Sequence, residues 1–124
     1  MADGLPAPRR LVLQDADRTE CRPLDGGEDY PGLPGVRKTV LHAHSSPAVR
    51  FNVVDFAPGS EVPPHSSPTA NYWFVLAGTV DSVVPGREPV TLGPGDCCVQ
   101  VGVDHGWRVR GSQDVRMIAV VVDL

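Results

Sequence analysis

The chain holds a single lysine, Lys38, and few aromatics: three Phe, two Trp and two Tyr. A groove for single-stranded nucleic acid needs basic side chains interleaved with stacking rings, so that class is excluded. The formal net charge of -4, with acids and bases mixed along the chain, offers nothing to a duplex backbone or an anionic membrane surface. Long apolar runs are missing too. The run at residues 118–122 is strand length and far short of a bilayer span, and no basic start leads into an apolar leader segment. Cysteine is scarce and odd in number: Cys21, Cys97 and Cys98. Neighbours in an extended segment point to opposite faces, so Cys97 and Cys98 are poorly placed to bridge each other. There is no glycine-rich phosphate loop, no nucleophile elbow and no zinc-ribbon cysteine spacing. These absences predict a reduced, soluble, cytoplasmic protein with neither a nucleic-acid nor a membrane partner.

What is abundant is turn chemistry. Thirteen glycines and thirteen prolines punctuate short valine-rich runs within 124 residues, which predicts one all-β domain with a core that needs no staples. Residues 1–36 read as an irregular N-terminal arm packing on the main domain of residues 37–124. Within the arm, 1–9 form a loose terminus and Arg10–Gln14 a short strand. Strands are expected over 38–44, 50–56, 71–85 with a break at Gly78, 90–92, 97–101 and 115–122. Periodicity leaves open which face of 50–56 is inside. The last strand is apolar on both faces apart from Arg116, the pattern of a strand covered on both sides and a hint of a subunit interface.

Four stretches organise the rest: Gly59-Ser60-Glu61-Val62-Pro63-Pro64-His65, Asn71-Tyr72-Trp73-Phe74-Val75-Leu76-Ala77-Gly78, Gly93-Pro94-Gly95-Asp96 and His105-Gly106-Trp107. Their order resembles the two sequence motifs of the cupin superfamily, across roughly residues 49–122. Gly95-Asp96-Cys97-Cys98-Val99-Gln100 followed by Gly102-Val103-Asp104-His105-Gly106-Trp107 is similar to the second motif of small single-domain cupins. The resemblance implies a jelly-roll β-barrel of about ten strands, a homodimer, and a pocket that in this family usually holds a divalent metal. Placed on the family pattern, the first and last histidines are His65 and His105. Ser67 stands at the second histidine position and Asn71 at the carboxylate position. A hydroxyl and a neutral amide are poor substitutes for imidazole and carboxylate, so a divalent metal on His65 and His105 should bind weakly, and no cofactor is the expectation.

Alternation places Trp73 on the face of Asn71, and His105 with Trp107 opposite the charged Arg108 and Arg110. The expected pocket therefore carries His65, Asn71, Trp73, His105 and Trp107, with Ser67, Arg50 and His42 as further ligand-binding candidates. Arg50, if inward, would clamp a carboxylate or phenolate. Cys97 and Cys98 read as small core residues.

Three functions follow. The first is an enzyme for an organic small molecule working by non-redox acid/base chemistry (lyase, isomerase, dehydratase or cyclase). In it His65 and His105 exchange protons and Asn71 orients the substrate or donates to an oxyanion. The alternatives are a non-catalytic small-molecule-binding module gripping its ligand between Trp73 and Trp107, and a metal-dependent enzyme such as a dioxygenase.

Overall fold

In a computed structural model of the chain, the described residues are 5–6, 8, 10–14, 17–24, 26–45 and 48–124, apart from the side chains of 12–14. Among them are twelve strands and no helix: β1 Arg10–Gln14, β2 Thr19–Pro23, β3 Glu28–Asp29, β4 Val36–Ser45, β5 Ala48–Phe56, β6 Glu61–His65, β7 Thr69–Ala77, β8 Val80–Val83, β9 Val90–Leu92, β10 Cys97–Val101, β11 His105–Arg108 and β12 Val115–Asp123. No helix is therefore long and apolar enough to cross a membrane. A six-stranded sheet in the order β10-β7-β12-β5-β4-β3 faces a four-stranded sheet in the order β6-β11-β8-β9, and β1 and β2 form a separate hairpin. The expected loose terminus at 1–9 falls largely outside the described residues. The arm is also less irregular than its composition predicts. β2 pairs with β1 and β3 with the edge of β4, but their side chains are mostly exposed, so no apolar period announces them.

The break at Gly78 separates β7 from β8. Its φ is +78°, and a Cβ there would run into the carbonyl oxygen of Asp114, so only glycine makes this turn. β12 lies in the middle of the large sheet, paired with β5 on one side and β7 on the other. Its inner face sends Val115, Met117 and Ala119 into a core shared with Phe56, Val75, Val80 and Val109. Its outer face sets half-buried Ile118 and Val120 beside Val53 and Phe51 of β5 and beside Phe74 and Tyr72 of β7. That central position is why both faces are apolar. Farther along the same outer face, Tyr72, Phe74 and Leu76 of β7 and Val99 and Val101 of β10 stay exposed.

Candidate functional site

A cavity of about 530 Å³ opens between the two sheets. β6 supplies its mouth. Val62-Pro63-Pro64-His65 can be a strand only because β6 is the edge of the small sheet, where two missing N–H donors cost no ladder bonds. The register of β6 on β11 sets His65 opposite His105, with ring centroids 4.7 Å apart and planes tilted by 58°. His65 is exposed and donates from Nδ1 to the Pro63 carbonyl at 3.1 Å, whereas His105 is buried.

Gly106 makes this approach possible. A Cβ on it would collide with the Val62 carbonyl oxygen and lie 2.8 Å from Pro64 N and 3.0 Å from Pro63 C, all backbone atoms that cannot swing away. Gly106→Ala should therefore cost about 1–3 kcal/mol, read as a fall in thermal midpoint, and push His65 away from His105. Gly93→Ala, where nothing lies within 4 Å, is the control expected to stay near neutral.

His105 sits at the end of a one-way hydrogen-bond chain. Its Nδ1–H donates to the Val103 carbonyl at 2.8 Å, which leaves the Nε2 lone pair facing Asn71 Nδ2 at 3.3 Å. Asn71 Oδ1 accepts from Thr69 Oγ1 at 2.7 Å. Because that proton is committed, the 2.8 Å contact between Thr69 and Ser67 runs with the Ser67 hydroxyl donating. The result is a neutral imidazole of defined tautomer. Burial, the largest influence, pushes its pKa below the usual 6.5, and charge on His65 pushes the same way; the Val103 hydrogen bond and Asp104 oppose them.

Two residues along the same faces from His105 and Asn71, Trp107 and Trp73 meet edge to face with centroids 5.0 Å apart. The Trp73 indole N–H donates to Gln100 Oε1 at 3.0 Å, which fixes the ring. On β5 the face carrying Arg50, Asn52, Val54 and Phe56 lines the cavity, answering what periodicity left open. Arg50 is half-exposed, and its Nη2 reaches Asp123 Oδ1 at 3.0 Å.

His42 is brought elsewhere. A bulge between Val40 and His42 shifts the β4–β5 register, so His42 pairs with outward-facing Phe51 and does not line the cavity. The cavity thus collects His65, Ser67, Asn71, Trp73, His105, Trp107 and Arg50, but not His42.

Sequence reasoning missed Thr69, which alternation from Asn71 would have found, and Gln100, which pairs with Asn71 across β7–β10. It also missed Tyr30 and Lys38 at the rim, for which no local signal exists. Burial raises the Cys98 pKa against a weaker lowering by a Ser82 hydrogen bond, so this thiol is poorly disposed to act as a nucleophile. Among the described residues no three His, Cys, Asp or Glu side chains converge in a metal-holding group. Two imidazoles with a neutral amide directed at one of their lone pairs are an ill-suited donor set for a divalent ion.

Residues 52–121 match the protein family described as "Cupin domain". The chain is 34% identical over 103 residues to the cupin-domain-containing oxidoreductase fogC of Aspergillus ruber, covering 81% of this chain and 49% of that protein. It is 40% identical over 60 residues to phomopsin biosynthesis cluster protein C' of Diaporthe leptostromiformis, covering 48% of this chain and 32% of that one. The chain therefore spans about half the length, or less, of these curated relatives. Among solved structures, the polyketide cyclase RemF from Streptomyces resistomycificus superposes with a TM-score of 0.66 at 24% identity, over 77% of this chain and 70% of that one. At that identity the likeness is one of fold.

Proposed function

The chain belongs to the cupin family, and from that premise we propose that it is an enzyme of specialised metabolism that moves protons on an organic small molecule without redox chemistry. The observation that carries this reading is the His65–His105 pair at the cavity wall, one imidazole exposed and the other buried with its Nε2 lone pair held by the Asn71 amide, which a substrate proton must displace. His105 is the base: its tautomer is set and its protonation disfavoured. His65, exposed to solvent across from it, is the acid in this reading, and positive charge there would disfavour protonation of His105. Asn71 orients the substrate or donates to oxygen as charge develops there. Trp73 and Trp107 give the apolar wall that a ring or polyketide-like chain would use. Relatives named for biosynthesis clusters and a cyclase of the same fold support a lyase, isomerase, dehydratase or cyclase.

A second reading, redox chemistry on a bound metal, is favoured by the oxidoreductase names of two relatives, from Aspergillus ruber and Neurospora crassa. Elemental analysis after reconstitution with iron, nickel, manganese or zinc and exhaustive dialysis separates the two. We expect clearly substoichiometric metal, with turnover of candidate substrates indifferent to chelator; one metal per chain, with chelator-sensitive activity, would overturn the acid/base reading. Asn71→Asp should supply the missing carboxylate, with two results: increased metal retention, and a raised His105 pKa from the new negative charge beside Nε2.

The exposed apolar face of β7 and β10 is where we place the partner in a homodimer, a second copy of this chain. Light scattering should then give twice the 13.2 kDa chain mass, and Phe74→Glu should shift the particle to monomer. A monomeric parent protein at assay concentration rejects this placement.

A further inference from the structure

The acid/base machinery draws on β6, β11 and β7, and the β4–β5 part of the large sheet holds cavity-lining groups that chemistry does not use. Asn52 is only 5% exposed and lines the cavity, yet its Oδ1 has no hydrogen-bond partner. A buried acceptor left unpaired costs free energy, so in a native structure it points to a missing donor. Among the described residues two other buried atoms lack hydrogen-bond partners, Arg37 Nε and Thr39 Oγ1, and neither residue lines this cavity.

Asn52 lies between two cations. Arg50 is two residues away on the same face of β5. Lys38 is paired with Val54 on the neighbouring strand, which puts it diagonal to Asn52. Lys38 is held at the rim with its Nζ 5.1 Å from the centre of the Tyr30 ring. Arg50 spends Nη2 on Asp123, leaving the rest of its donor fork for a ligand. No Asp or Glu is among the described lining residues, although the chain as a whole carries a net -4. Across the sheet, Asn52 shares a rung with Trp73, separated by Ala119, the smallest side chain on that rung. A ring held against Trp73 inside the cavity would therefore have Asn52 and the cations on the same sheet for its polar substituents.

We propose that the β4–β5 wall recognises an organic carboxylate that also carries a hydroxyl or phenol: Lys38 and Arg50 face the anion, and Asn52 Oδ1 accepts the hydroxyl proton. This rests on the reading of the cavity as the substrate site and adds the substrate's chemical class.

The test is isothermal titration of the intact protein with 2-, 3- and 4-hydroxybenzoate, their methyl esters, and benzoate. At least one hydroxybenzoate should bind about tenfold more tightly than its ester and than benzoate. Lys38→Met with Arg50→Met should erase the acid-over-ester preference. Asn52→Leu should erase the preference for the hydroxyl while keeping that for the acid. If Asn52→Leu unfolds, judged by circular dichroism, the isosteric Asn52→Asp replaces it: the acceptor stays, but the added charge should weaken acids selectively and spare esters. Equal binding of acid and ester, a preference that survives the double substitution, or no binding of any probe at about 10 mM overturns the proposal. His105→Ala should retain the probe preferences. If they persist but no histidine-dependent turnover is found for any substrate, the acid/base reading fails alone. If turnover depends on His105 but the probes show no charge preference, this inference fails alone.

Discussion

Replacing His105 by alanine should lower turnover by about 10²- to 10⁴-fold, the range for losing a positioned general base, while ligand affinity changes little. A non-catalytic binding module would show no such split, and an effect confined to affinity would sink the catalytic reading. The tautomer argument adds a pH signature. His105 must be neutral to accept a proton at Nε2, and its burial lowers the pKa from 6.5, so the acid limb of kcat/KM should fall below pH 6.5. The same shift has a stability consequence of definite sign. Below pH 6.5 the unfolded chain takes up a proton at this position before the folded one does. Stability should therefore decline as pH drops from 6.5 toward the depressed folded value, and be unaffected by this group above 6.5. Removing the imidazole with His105→Gln should flatten that part of the stability profile.

Asp55→Ala should cost about 3–5 kcal/mol, the range for breaking a buried ion pair from one side, and lower the thermal midpoint by about 10–20 °C. Asp55 and Arg116 have side chains only 5% and 12% exposed and meet in a two-pronged contact, Nε to Oδ1 at 2.7 Å and Nη2 to Oδ2 at 3.0 Å. On the other side of Asp55 the register places Arg37, whose Nε has no hydrogen bond and only a 3.6 Å ion pair with the exposed Asp29. Removing the carboxylate leaves two arginines on one rung with no anion between them. Asp55→Leu combined with Arg116→Met takes out both charges of the pair and should cost far less than Asp55→Ala alone. Chemical denaturation of the three proteins decides the matter, and equal losses in the single and double variants would show that packing, not charge, dominates this rung.

The sequence by itself determined most of the strands and the motif-borne part of the cavity. β7, β10 and β11 were legible because glycine or proline brackets them, β12 because of its apolar run, and alternation put Asn71 with Trp73 and His105 with Trp107. The two-motif resemblance carried the fold. Other features were decided only by tertiary structure. β5 is buried on both faces along residues 52–56, so alternation could not say that Arg50 and Asn52 face the cavity. His42 was lost from the site through a single bulge, because one extra residue in a strand moves everything beyond it to the opposite face, and no local composition marks the spot. Tyr30 and Lys38 reach the rim from a segment far from the motifs in sequence. The neutral state of His105 likewise depends on Thr69, Asn71 and Val103 converging on one ring. Local patterns record what a residue's neighbours along the chain require. Register and burial depend on which strands meet, and those contacts are made between segments that share no local signal.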